Sequence, residues 1–221
     1  MANFLELYPW QINAWERVVD SLGRLPHAIL FTGIEGIGKL RFATRLAVAL
    51  LCESEENSPC GECRNCRLFS SGTHPDLHVL TSEARLESMD SVLVSYADRY
   101  LDDQSSRAKR KNLRSTIVID QIRALIENAN VKPHLSVNKI FVIDPVDSMT
   151  NAGANSLLKV LEEPAPNTFL VLIAQSIQNL LPTITSRCQQ LFLPAPDPEQ
   201  IERWLVQNKL QPQEISAIQQ S

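Results

Sequence analysis

The segment from His27 to Leu51 constrains this chain more than any other. His27-Ala-Ile-Leu-Phe-Thr32 is a short, nearly all-apolar run of the kind that makes a buried strand of a parallel sheet. Gly33-Ile-Glu-Gly36-Ile-Gly38-Lys39-Leu40 follows, and Lys39 to Leu51 reads as a helix. A Gly-rich turn between a strand and a helix matches the P-loop pattern at Gly33, Gly38 and Lys39. Gly33, Gly36 and Gly38 let backbone N–H groups curl around phosphate oxygens, and the helix N-terminus adds positive potential. Lys39 would reach the terminal phosphates of a nucleotide.

The next position breaks the pattern. A P-loop carries Ser or Thr there, whose hydroxyl coordinates Mg²⁺, but residue 40 is Leu. Lys139-Ile-Phe-Val-Ile-Asp144 is a second buried-strand pattern that resembles a Walker B strand, with Asp144 as the metal-binding carboxylate. The Glu that would polarise the attacking water is replaced by Pro145. Losing both groups argues against turnover by several kcal/mol of barrier. ATP or ADP binding is expected to be weak or absent.

Four of the five cysteines, Cys52, Cys60, Cys63 and Cys66, lie close together with two overlapping C-x2-C spacings. Adjacent sulfurs at that spacing face one ion, and four sulfurs close a tetrahedron, so a structural zinc site is expected, with an iron–sulfur cluster or free thiols as the competing readings. His74 and His78 are then surplus and read as surface histidines. An odd, clustered cysteine count is not a secreted disulfide framework.

Elsewhere, residues 8–23 read as an amphipathic helix with Trp10, Ala14, Trp15, Val18 and Val19 at helical spacing. Strands are expected at 76–80, 168–174 and 189–193, and helices at 118–130 and 150–163. Strand alternating with helix predicts a parallel sheet covered on both faces. Residues 82–112 are weakly patterned, with a basic cluster at Arg107, Lys109, Arg110, Lys111 and Arg114; the stretch reads as a solvated loop, with a local phosphate contact as the competing reading. Pro194, Pro196 and Pro198 mark a linker, followed by one helix at 198–208. The stretch after Pro198 is too short for a core of its own, so the chain is expected to be the N-terminal piece of something longer.

At 44% hydrophobic and 21% charged, the chain can build a core. A net charge of −4 means that any nucleic-acid contact is local or supplied by partners. No apolar run has the length of a membrane span and no signal peptide is visible, so a cytoplasmic location without membrane contact is expected.

Taken together, the motifs resemble those of bacterial DNA polymerase III clamp-loader subunits of the AAA+ superfamily. The matching pieces are the strand and P-loop from His27, the cysteine cluster, Asp120-Gln-Ile-Arg123, Asn155-Ser-Leu-Leu-Lys-Val-Leu-Glu-Glu-Pro164 and Ser186-Arg-Cys188. The resemblance runs from about residue 8 to about residue 208. It implies an α/β AAA+ P-loop domain, a five-stranded parallel sheet between helices, over residues 1–195. The cysteine module at about 52–76 is inserted in it, and 196–221 begin a small helical lid. Leu40 and Pro145 point to the delta prime type, whose Walker motifs are degenerate, rather than to the hydrolysing gamma/tau motors. The resemblance gives Arg187 the role of an arginine finger in the ATP site of a neighbouring motor subunit. It puts the 155–164 helix near primer-template DNA, and Gln175-Ser176 where the family places a nucleotide sensor. The implied partners are gamma/tau and delta, with the sliding clamp, primed DNA and single-stranded-DNA-binding protein reached through the assembly. The competing readings are an active motor subunit of the same loader and a stand-alone zinc-containing nucleotide-binding protein such as a small kinase, against which Leu40 speaks.

Overall fold

A computed structural model describes residues 5–54, 57–109 and 111–208. Five strands form one sheet: β1 (Ala28–Thr32), β2 (Leu77–Leu80), β3 (Lys139–Ile143), β4 (Thr168–Ile173) and β5 (Gln189–Phe192). Their order is β2-β3-β4-β1-β5, and every pairing is parallel. All five lie where the apolar runs put them.

The apolar runs are continuous because the inner strands are covered on both faces. One face carries Ile29, Phe31, Ile140, Val142, Val171 and Ile173. Against it pack α1 (Ile12–Asp20), α2 (Lys39–Leu51), α3 (Arg64–Ser70) and α4 (Ser91–Ala97). Phe42 of α2 meets Phe31 and Trp15 edge-on, with ring centroids 5.4 and 5.6 Å apart. The other face carries Leu30, Phe141, Ile143, Leu170 and Leu172 under α6 (Ile119–Ala129) and α7 (Asn151–Glu162). Burying one such side chain contributes roughly 1.5–3 kcal/mol. A short α5 (Gln104–Ala108) lies on the chain between α4 and α6, a one-turn α8 (Pro182–Thr185) precedes β5, and α9 (Pro198–Gln207) follows the proline linker.

Several expectations need correcting. Residues 82–112 are not all solvated loop: Leu93 and Tyr96 of α4 are core residues. The Tyr96 hydroxyl donates to the carbonyls of Leu68 and Phe69, which ties α4 to α3. His74 and His78 are not surface residues; both are buried, and His78 Nδ1 lies 2.6 Å from the Tyr100 hydroxyl. Burial, aided by the nearby Lys139 and Arg99, pushes His78 down to about 3, so it stays neutral. In the basic cluster, Arg107 pairs with Asp98 at 2.8 Å and Arg114 with Asp102 at 3.4 Å, while Arg110 lies outside the described residues. Residues 209–221, half of the expected lid segment, also lie outside them.

Two buried charges fasten the lower edge of the sheet. The Lys139 ammonium donates to the carbonyls of Asn128 and Val131, capping the C-terminal end of α6. Asp76 accepts the N–H groups of His134, Leu135 and Ser136 at 2.6, 2.7 and 2.9 Å. Burial alone would raise the Asp76 carboxyl, but the three amides prevail and hold it below its ordinary range. A depressed carboxylate adds stability above its unfolded pKa and loses it as pH falls through the folded one. Urea unfolding at stepped pH should therefore show stability dropping below about pH 4. Asp76→Asn should cost about 2 kcal/mol at neutral pH and flatten that acid limb. An unaltered acid limb in the variant would contradict the assignment.

Candidate functional site

The P-loop lies at the C-terminal end of β1, and three of its glycines have positive φ: Gly33 at 143°, Gly36 at 79° and Gly38 at 85°. At Gly38 a side chain is excluded twice over, because an added Cβ would come within 2.5 Å of the Tyr8 ring. Lys39 opens α2 and turns back over the loop, donating to the carbonyls of Gly33 at 2.9 Å and Ile34 at 2.8 Å. Burial lowers its pKa, against the pull of Asp144, Glu35 and Asp147. Leu40 packs at the margin of the apolar core beneath α2.

Asp144 leaves the C-terminal end of β3 with 1% of its surface exposed. Its backbone is pinned by the Thr81 hydroxyl, which donates to its carbonyl at 2.6 Å. Its carboxylate faces a cation of the chain itself: Arg85 Nε lies 3.3 Å from Asp144 Oδ2. Burial raises the Asp144 pKa, and Arg85 is the main force holding it down. A P-loop fold implies Mg²⁺, and these residues do not fit one. Leu40 has no oxygen, and the acid that would hold the metal is ion-paired with Arg85. The water-polarising Glu is Pro145, and Asp147 beyond it accepts the backbone N–H groups of Gln175 and Ser176 at 2.9 and 3.1 Å.

Lys39, Arg85, Asp144, Gly36, Gly38 and Gln175 line one cavity of about 160 Å³, roofed by Tyr8. That is small for a nucleotide pocket, since drug-sized ligands occupy roughly 300–1,000 Å³. Beside it, Tyr8 stacks on Trp10 at 4.6 Å and Trp204 of α9 meets both rings edge-on. The indole N–H of Trp10 and the Gln11 amide donate to the Ile37 carbonyl, fastening this aromatic cluster to the loop. Sequence reasoning missed Arg85 and Tyr8: one sits in the segment read as loop, the other ahead of α1, and neither has a local motif.

The four cysteine sulfurs lie within 4.8 Å of one another, with separations of 3.7 to 4.0 Å along three edges. Four sulfurs about 2.3 Å from a central ion stand about 3.8 Å apart, so the cluster can hold a tetrahedral metal. Gly61 takes positive φ in the turn between Cys60 and Cys63, and Cys63 caps the N-terminus of α3. Backbone N–H groups of Glu62 and Cys63 pull the Cys60 thiol down to about 7, while burial pushes Cys66 up.

Arg187 stands in the turn between α8 and β5 and is not among the residues lining the P-loop cavity. Its side chain is 34% exposed. One end of the guanidinium donates to the Thr183 carbonyl at 2.9 Å, and the other pairs with Glu162 of α7 at 2.5 Å. Glu162 thereby joins the 155–164 helix to the Ser-Arg-Cys segment.

Comparison with known proteins adds the family. Subunit delta' of DNA polymerase III from Pseudomonas aeruginosa is 33% identical over 90% of this chain and 52% of its own length. The Bacillus subtilis subunit delta' is 37% identical over 86% of this chain and 48% of its own length. The chain thus spans about half the length of these curated relatives. Among solved structures, a DNA polymerase III gamma subunit-related protein of Thermotoga maritima superposes with a TM-score of 0.51 at 20% identity, covering 93% of this chain and 52% of that one. At that identity the likeness speaks for the fold, which is that of an AAA+ domain. The family described as "DNA polymerase III, delta subunit" matches residues 10–197, and on that match the chain belongs to it.

Proposed function

We propose that the chain is the AAA+ part of a delta prime-type clamp-loader subunit that does not hydrolyse ATP and lends Arg187 to the ATP site of a neighbouring gamma/tau motor subunit. The observation that carries the reading is a division of groups. The chain's own phosphate site lacks the hydroxyl and the water-polarising acid, and its carboxylate is engaged by Arg85. Its Ser-Arg-Cys guanidinium, by contrast, stands partly exposed outside that site. A guanidinium presented to a γ-phosphate stabilises the charge of the phosphoryl-transfer transition state, which lysine does less well for want of a planar fork. In this reading the subunit works with gamma/tau and delta to load the sliding clamp onto primed DNA. The segment from 196 begins a helical lid, and nucleotide is held weakly or not at all.

The cysteine cluster is proposed to hold one structural zinc ion through Cys52, Cys60, Cys63 and Cys66. The metal would supply no chemistry to the phosphate site; its four thiolates would fix the link between α2 and α3. Metal analysis of the purified chain should find one zinc per chain. Cys66→Ser or a strong chelator should remove it and lower the melting temperature, and a chain that melts identically with and without chelator would refute the site.

Arg187→Ala should leave the fold unchanged and slow ATP hydrolysis at the adjacent motor site of the assembled loader by on the order of 10³-fold in single turnover. Arg187→Lys should not restore it. An unchanged rate would remove the finger role, and robust turnover by the isolated chain would instead favour the motor reading.

A further inference from the structure

We infer that Arg85 takes over the charge-neutralising role of a divalent cation in the P-loop cavity, so that any nucleoside di- or triphosphate held there is held without metal. This rests on the nucleotide-binding reading above. Three observations meet at one place. First, the position that gives a P-loop its metal-binding hydroxyl is Leu40, which lines the cavity and has no side-chain oxygen to offer. Second, Asp144, 1% exposed, is already paired with Arg85 Nε at 3.3 Å. Third, Arg85 and Lys39 line the same cavity as Gly36 and Gly38.

The energetic argument concerns what a metal would have to displace. A buried carboxylate needs a compensating charge, and removing that partner is costly. For a divalent ion to reach Asp144 it would have to shed water, find no hydroxyl at residue 40, and expel a guanidinium tethered by its own backbone. A guanidinium presents five N–H donors and cannot be deprotonated. Arg85 lines the cavity beside Gly36 and Gly38, so its fixed charge acts on phosphate oxygens held there. Glu35 and Asp144 are the acids lining the cavity, and Asp147 lies near enough to act on Lys39. Two fixed unit charges thus replace the lysine and divalent ion of an intact site. The loss of one positive charge fits weak binding, and the missing hydroxyl fits the absence of hydrolysis. Arg85 lies in the 3₁₀ segment Glu83–Ser88, 59 residues from Asp144, so nothing local in the sequence announces the pair.

The test is ADP titration of the folded chain by calorimetry, with Trp10 and Trp204 fluorescence as a second readout, in EDTA and in excess Mg²⁺. The wild type should bind equally in both, within about twofold, and Arg85→Gln should weaken metal-free binding by about tenfold or more, with Arg85→Lys recovering part of it. Leu40→Thr should gain no Mg²⁺ dependence while Arg85 is present; Leu40→Thr combined with Arg85→Gln should gain it. Tightening of the wild type, or of Leu40→Thr alone, by about tenfold on adding Mg²⁺ would overturn the inference. If no ADP binds under either condition, the nucleotide-binding reading falls, and Mn²⁺ binding by electron paramagnetic resonance decides the role of Arg85. Mn²⁺ held by the double variant but not by the wild type or Leu40→Thr supports it. Mn²⁺ held by the wild type, or refused by the double variant, overturns it. Circular dichroism confirms that each variant is folded.

Discussion

A parallel sheet covered on both faces has only its strand ends left for chemistry. That constraint organises this molecule. The inner strands are filled with apolar side chains above and below, so polar groups gather where the strands stop. The P-loop leaves β1, Asp144 leaves β3, Gln175 and Ser176 follow β4, and the Leu193 carbonyl beyond β5 closes on Gly33. The chemistry-bearing residues therefore meet although they lie far apart in sequence.

What meets there is a phosphate cradle stripped of its engine. The glycine conformations and the lysine are kept; the hydroxyl is replaced by a methyl-rich side chain and the acid that follows Asp144 by proline. A buried aspartate left behind would be costly, and Arg85 compensates it within the chain. The P-loop turn also fastens β1 to α2 and carries Tyr8, Trp10 and Gln11 against it. On the proposed reading the domain's partly exposed Arg187 serves a neighbour. Glu162 and the Thr183 carbonyl hold the two ends of that guanidinium, so an incoming anion has to compete with one of them.

The five strands were legible because continuous apolar runs bounded by turns have few other uses, and the P-loop because strand, glycines, lysine and helix stand in unbroken order. The cysteine cluster was legible from spacing, which fixes the geometry of a turn. Other features depend on contacts that no window of sequence contains. His74 looks like a surface residue until Tyr96 of α4 meets its backbone, and His78 until Phe141 and Tyr100 cover its ring. Helix α4 itself, only seven residues long, escapes periodicity. Arg85, Tyr8 and the Arg187–Glu162 pair are meetings of distant residues, visible only once the sheet has brought the strand ends together.

The central claim is that this domain has exchanged its own catalysis for service to an adjacent subunit. The most direct measurement is the steady-state ATPase rate of the purified, zinc-loaded chain with Mg²⁺. The account predicts no turnover above background; a rate that saturates with ATP and follows the concentration of this chain would contradict it.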